Sequence, residues 1–153
     1  MDLILWRHAQ AVDADDHIDD LKRPLTREGE EQAKEMAVWL RRHLPADTRV
    51  LVSPALRTRQ TALRLTKNGY TICQELAPNG QVDDLLRVVG WPDAGTAALV
   101  VGHQPTLGLA AQRLLGMQMP CAIKKGSVWW LQSREREGES QIILRAVQSP
   151  RLL

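Results

Sequence analysis

An α/β fold with a mainly parallel sheet is predicted by three observations. Short, continuously apolar runs recur at Leu3-Ile4-Leu5-Trp6, Val50-Leu51-Val52 and Ala98-Leu99-Val100-Val101. Such runs suit strands buried on both faces of a parallel sheet. Segments with apolar residues at helical spacing alternate with them, which is the order of a strand-helix-strand fold. The length, 153 residues, is enough to close one hydrophobic core. One domain over residues 1–153 is therefore expected, with no internal repeat and no linker.

The first strand should end near Arg7-His8. Five aspartates fall among the eight residues from Asp13 to Asp20, before Pro24, so this stretch reads as a solvated loop. A helix follows. Thr26 can cap it, Glu28, Glu30 and Glu31 suit its positive end, and Ala33, Met36, Ala37, Leu40 and Leu44 recur at helical spacing. Arg41, Arg42 and His43 complement its negative end before Pro45.

After the strand at Val50-Leu51-Val52, Ser53-Pro54 reads as a helix start, with Ser at the cap and Pro at the first position, which places Arg57 in the first turn. A third strand is expected at Tyr70 to Cys73, and a short helix at Val82 to Val89. The strand Ala98-Leu99-Val100-Val101 leads to an apolar helix from Pro105 to Leu115, ended by Gly116. Val128 to Gln132 and Ile142 to Val147 flank the charged segment Arg134 to Ser140 and read as a closing β-hairpin. Trp129-Trp130 on such a strand alternates faces, so at least one ring belongs in the core or at its edge.

Composition removes several function classes. Twenty Lys plus Arg stand against 18 Asp plus Glu, a formal charge of +2, too balanced for a protein that lives by neutralising nucleic-acid phosphates. Only Cys73 and Cys121 are present, without paired spacing, so neither a zinc site nor a disulfide framework is indicated, and a reducing cytoplasm suits the chain. The uncharged stretch Ala94 to Gln112 contains Gly102, Gln104, Pro105 and Gly108, and reads as strand, turn and helix in place of a membrane span. His17, in the acidic loop, and His43, at a helix end, read as solvated. No role is expected for the carboxylates around His17 as metal ligands, since the glycine turn and spacing of a calcium loop are missing.

The chemistry is carried by three segments of one design. In each, an apolar strand delivers a basic or imidazole side chain as the chain turns towards a helix: Arg7-His8, Arg57 and His103. Ligands of open parallel sheets bind outside the carboxyl ends of the strands, so these residues are expected to converge. Two guanidinium forks, two imidazoles and helix N-termini favour a tetrahedral anion, with phosphate the natural candidate. A neutral imidazole there has a free ring nitrogen that can carry a transferred phosphoryl group.

The net charge also hides an asymmetry. From Thr48 to Gln74 there are five basic residues and no acidic one, and Ala94 to Arg134 holds Arg113, Lys124, Lys125 and Arg134 with again no Asp or Glu. The segments that form the expected pocket are acid-free, an arrangement that steers anionic substrates.

Four blocks together carry a resemblance: Leu3-Ile4-Leu5-Trp6-Arg7-His8-Ala9-Gln10-Ala11, Pro24-Leu25-Thr26-Arg27-Glu28-Gly29-Glu30-Glu31-Gln32-Ala33, Ser53-Pro54-Ala55-Leu56-Arg57-Thr58-Arg59-Gln60-Thr61-Ala62, and Val101-Gly102-His103-Gln104-Pro105. In this order, over residues 3 to 105, the chain resembles the histidine phosphatase superfamily and its short, SixA-like branch of phosphohistidine phosphatases. The resemblance implies a phosphoglycerate mutase-like three-layer sandwich, with helices on both faces of the sheet and a C-terminal hairpin. It implies that His8 is the nucleophile, that Arg7, Arg57 and His103 complete the phosphate pocket, and that neither a metal nor an organic cofactor takes part. The implied partner is a phosphorylated protein, such as a histidine phosphotransfer domain, or a small phosphorylated substrate. Ala9 stands where the superfamily usually has glycine. Glu75, in Gln74-Glu75-Leu76-Ala77-Pro78, is the positional candidate for a general acid. Imidazole leaves phosphorus with less help than an alkoxide does, so a weak or absent acid favours phosphohistidine over phosphomonoesters.

Overall fold

The computed structural model describes residues 1–153. Strands β1 (Asp2–Arg7), β2 (Arg49–Val52), β3 (Tyr70–Ile72), β4 (Ala98–Gly102), β5 (Val128–Arg136) and β6 (Glu139–Gln148) form one six-stranded sheet in the order β3-β2-β4-β1-β5-β6. The first four of these are mutually parallel, and β5 and β6 run antiparallel. Helices α1 (Arg27–His43), α2 (Leu56–Leu65), α3 (Val82–Val89) and α4 (Thr106–Leu115) cover the sheet from both sides. The expected three-layer α/β sandwich is the observed one.

The apolar runs are explained by this double cover. Successive strand side chains point to opposite faces, so Ile4, Trp6, Val50, Val52, Leu99 and Val101 meet Met36, Ala37 and Leu40 of α1 and Ala62 of α2. Their neighbours Leu3, Leu5, Leu51 and Val100 meet Leu85 and Val89 of α3 and Leu107, Ala110 and Ala111 of α4. Each fully buried aliphatic side chain contributes about 1.5–3 kcal/mol relative to exposure. Trp130 is buried with the first group, where its indole N–H donates to Asp2 Oδ1 at 3.1 Å, and Trp129 packs at the edge of the second.

Thr26 caps α1 as expected, its hydroxyl accepting from the Gly29 N–H at 3.0 Å. Gly29 itself has no room for a side chain: a Cβ there would lie 1.9 Å from the carbonyl oxygen of Gln10. This contact seats the start of α1 on the segment that follows His8. Gly116 ends α4 in the left-handed conformation, φ 65°, where glycine is favoured.

Three details differ from the sequence reading. Helix α2 starts at Leu56 with Ala55 as its N-cap; the Ser53 hydroxyl accepts from the Ala55 N–H at 3.3 Å and is shared with His103 at 2.7 Å. The charged stretch at the hairpin is strand almost throughout: β5 and β6 run through it to a turn at Glu137-Gly138, both with positive φ of 54° and 79°. Its charges lie on a solvated two-stranded ribbon, which tolerates them. The third concerns the acidic segment, where Asp20 opens a short 3-10 turn (Asp20–Lys22) and its half-exposed carboxylate pairs with Arg57.

No helix is long and apolar enough to cross a membrane.

Candidate active site

Register places the site. Arg7, the last residue of β1, pairs with Gly102, the last of β4. His8 and His103 therefore emerge side by side, and the His8 N–H donates to the Gly102 carbonyl at 3.1 Å. Val52 of β2 pairs with Val101, and the Ser53 N–H donates to the Val101 carbonyl at 3.1 Å, which aligns the start of α2 with the same edge. The imidazole rings of His8 and His103 stand with centroids 5.3 Å apart. Arg57, in the first turn of α2, reaches over them.

All three side chains are buried: His8 is 6% exposed, Arg57 3% and His103 3%. Hydrogen bonding fixes their proton states. A carbonyl oxygen only accepts, so the 2.7 Å contact of His8 Nδ1 with the Ala9 carbonyl puts the proton on Nδ1. Nε2 of His8 then carries a lone pair, and no protein group occupies it. A guanidinium only donates, so the 3.3 Å contact of Arg57 Nη2 with His103 Nδ1 leaves that nitrogen unprotonated. The proton of His103 resides on Nε2 and is donated to Ser53 Oγ at 2.7 Å.

Electrostatics reinforce both assignments. Burial first, and then the charges of Arg57, Arg7 and Lys125, push His8 from 6.5 down to about 3, against the Ala9 hydrogen bond that raises it. His103 is pushed to about 3 as well, by burial, His8, Arg57 and Arg7, partly offset by Asp20. Both imidazoles are neutral at pH 7. Burial also lowers Arg7 and Arg57, but a guanidinium stays charged at any physiological pH.

A stability consequence follows from these values. In the unfolded chain each histidine binds a proton near 6.5, whereas in the folded protein neither does until about pH 3. The unfolded state therefore gains protons first, and stability falls as pH drops from 6.5 towards 3, by up to about 1.4 kcal/mol per pH unit for each histidine. Denaturant unfolding followed from pH 7 to pH 4.5 should show a steadily falling midpoint. Substituting His103 by Gln should flatten that dependence; an unchanged slope in this variant would contradict the burial of a neutral His103.

Arg7 and Arg57 are each held by backbone. Arg7 Nη1 donates to the Ile123 carbonyl at 2.8 Å, and Arg57 Nη1 to the Asp20 carbonyl at 2.7 Å. The Nε atoms of both are sealed from solvent without a hydrogen-bond partner. Buried donors left open in this way lose a full hydrogen bond's worth of solvation. The backbone between the histidine and α2 is tied as well. The Ala9 N–H donates to Thr61 Oγ1 at 3.1 Å, whose hydroxyl donates to the Arg57 carbonyl at 2.8 Å.

The structure thus brings Arg7, His8, Arg57 and His103 to one sheet edge. It does not bring Glu75 into their hydrogen-bond network: Glu75 lies half-buried in the 3-10 turn Gln74–Leu76 beyond β3, without a hydrogen bond or ion pair to any of the four. His17 and His43 are exposed, His43 stacking on Trp39 with ring centroids 4.7 Å apart.

The sequence reading missed two partners. Asp20 lies between two arginines, its Oδ2 at 3.2 Å from Arg57 Nη2 and its Oδ1 at 3.0 Å from Arg23. Against burial, which raises it, the hydrogen bonds and charges of Arg23 and Arg57 hold its carboxyl below the usual value. The pocket is therefore not free of acid, and nothing in the run of five aspartates singles out this one except its distance of three residues from Arg23. Ser53, taken for a helix cap, is instead the acceptor that orients His103.

The structure thus sets two neutral imidazoles and two arginines together at the carboxyl edge of a parallel sheet. Comparison with known proteins gives the family. Residues 3–77 match the sequence family described as the histidine phosphatase superfamily (branch 1). The phosphohistidine phosphatase SixA of Escherichia coli strain K12 is 33% identical over 128 residues, 78% of each chain. An uncharacterized protein of Picosynechococcus sp. is 39% identical over 120 residues, 74% of this chain and 73% of that one. A solved structure of the protein histidine phosphatase SixA complexed with tungstate superposes with a TM-score of 0.76 over 99% of both chains, at 27% identity. The chain belongs to the histidine phosphatase superfamily, in its SixA-like branch.

Proposed function

We propose that the protein is a phosphatase working through a covalent phosphohistidine, with His8 as nucleophile. The observation that carries this reading is the neutral His8 ring, pinned through Nδ1 to the Ala9 carbonyl with Nε2 unoccupied among two arginines. In the first step Nε2 forms a bond to phosphorus as the bond to the leaving group breaks. In the second, water attacks the same phosphorus, the P–Nε2 bond breaks, and phosphate and neutral His8 are released. Arg7 and Arg57 spread the charge of the equatorial oxygens. Burial first, and then neighbouring positive charge, keep His103 neutral; an incoming phosphate dianion opposes the second of these, so His103 gains proton affinity as the ligand binds and becomes a further donor to it.

The substrate we infer is a phosphohistidine on a protein. Support comes from the leaving group: with Glu75 outside the network, the site suits imidazole better than an alkoxide, and the E. coli relative is named a phosphohistidine phosphatase. Rates on a phosphorylated histidine phosphotransfer domain, an aryl phosphate and a sugar phosphate, measured side by side, test this. The first two should be hydrolysed and the third should lag by orders of magnitude; a sugar phosphate turned over best would replace the reading with a small-molecule phosphomonoesterase.

Asp20 sets a further expectation. Its carboxylate already occupies Arg57, so a phosphate that reaches Arg57 meets a like charge. Asp20→Ala should tighten inhibition by inorganic phosphate by a few-fold, on the order of one partly screened charge pair. Weaker inhibition in this variant would mean that Asp20 serves the anion by holding Arg57 in place.

A further inference from the structure

We propose that Lys124, Lys125 and Ser127 form, beside Arg7, a second anion subsite that takes an acidic side chain next to the phosphorylated residue of a protein substrate. The inference rests on the phosphoprotein reading above and adds to it a sequence preference.

Arg7 lines one end of a cleft of about 370 Å³ whose walls contain no apolar side chain other than the ring of Pro150. The turn that carries both lysines is docked directly on the site. The Gly126 N–H lies 3.2 Å from the Arg7 carbonyl and 3.0 Å from the His8 carbonyl, and the Ser127 N–H closes the turn onto the Lys124 carbonyl at 3.0 Å. Ser127 is 3% exposed, yet its hydroxyl oxygen has no hydrogen-bond partner, and Arg7 Nε beside it has none either. A buried hydroxyl left without a partner is unfavourable, and it points to a polar ligand group that would pair with it.

Charge has the same sense. Lys124 and Lys125 are exposed and neither is paired with a carboxylate, whereas Glu28, the one acid of the lining, lies 3.7 Å from Arg151. The field of Lys125 is felt as far as His8. In the same lining Gln10 and Gln32 have their carbonyls engaged, by the Thr26 hydroxyl and the Gln10 N–H. Their amide groups donate to nothing in the protein. A volume several times that of one carboxylate, lined by donors and opening from the phosphate-facing arginine, fits a side chain delivered by a neighbouring stretch of polypeptide.

The test uses two short peptides carrying a stable phosphonate analogue of phosphohistidine. One is flanked by Glu and the other by Gln, and both compete against hydrolysis of an aryl phosphate. The Glu peptide should inhibit at a concentration lower by on the order of fivefold at low salt, the effect of one or two partly exposed charge pairs. The ratio should fall to about one in a Lys124→Ala/Lys125→Ala double variant and persist in Lys67→Ala, whose charge lies at the far end of α2. Equal inhibition by the two peptides in the unaltered protein, no inhibition by either, or a ratio that survives loss of both lysines overturns the subsite. Turnover of authentic phosphohistidine peptides is read separately. A retained inhibition ratio without such turnover leaves the subsite standing and removes the substrate assignment.

Discussion

His8→Ala is expected to lower kcat on an activated aryl phosphate by at least ~10⁴-fold, the scale on which loss of a covalent nucleophile is felt. No second group can substitute. His103 has one ring nitrogen facing the Arg57 guanidinium and the other donating to Ser53, so it offers no lone pair to phosphorus without giving up its contact with Arg57. Rapid quenching of the unaltered protein with ³²P-labelled substrate should trap label that is stable to base and labile to acid, as a phosphoramidate is, on a peptide containing His8. Label on another residue, or turnover retained in His8→Ala, would falsify the assignment. Because the His8 ring is small and its Nδ1 contact is to the adjacent residue, the variant should fold, and a preserved unfolding transition would show that activity was lost at the site.

Arg57→Ala should have the second largest effect, a loss in kcat/KM of roughly 10²–10³-fold, as for removal of one preorganised donor from a transition-state site. It carries a second signature that a general loss of structure does not. The Arg57 charge is among the causes that hold both imidazoles down, so removing it raises both. Catalysis needs His8 neutral, and the acid limb of the pH–rate profile is therefore expected to move upward, towards neutrality. Arg57→Lys should restore the limb more than the rate: it keeps the charge but not the planar fork that reaches the Asp20 carbonyl and His103 together. An acid limb that stays where it is in Arg57→Ala would remove Arg57 from the causes of the lowered histidine values and leave burial with the other nearby charges.

How far the site was legible can be judged residue by residue. Arg7, His8 and His103 follow from reading two apolar runs as parallel strands, because strand ends at a sheet's carboxyl edge must converge. Their proton states do not follow from sequence, since they depend on which carbonyl, guanidinium or hydroxyl each nitrogen meets. Ser53 illustrates the ambiguity: Ser-Pro before a helical pattern is a sound local start signal, but the helix begins at Leu56 and the Ser53 hydroxyl is shared with His103. Asp20 was hidden for the opposite reason, one acid among five with the same local surroundings, distinguished by a partner 37 residues away. The hairpin strands were placed but cut short, because charge on a two-stranded ribbon reads like a loop.

Ala9, where the superfamily usually has glycine, is fully buried and packs with Ala11, Leu25 and Ala33. The methyl group thus faces the protein and acts as a peg, fastening the segment after His8 to the start of α1 while its N–H holds Thr61. An alanine also has fewer unfolded conformations to surrender than a glycine. The ordering that a flexible loop undergoes each time it closes on an anion has here taken place once, during folding. If the site binds phosphate as proposed, its affinity and the chain's resistance to unfolding are coupled: a substitution that loosens Leu25 or Ala33, which pack against Ala9, is expected to weaken both together.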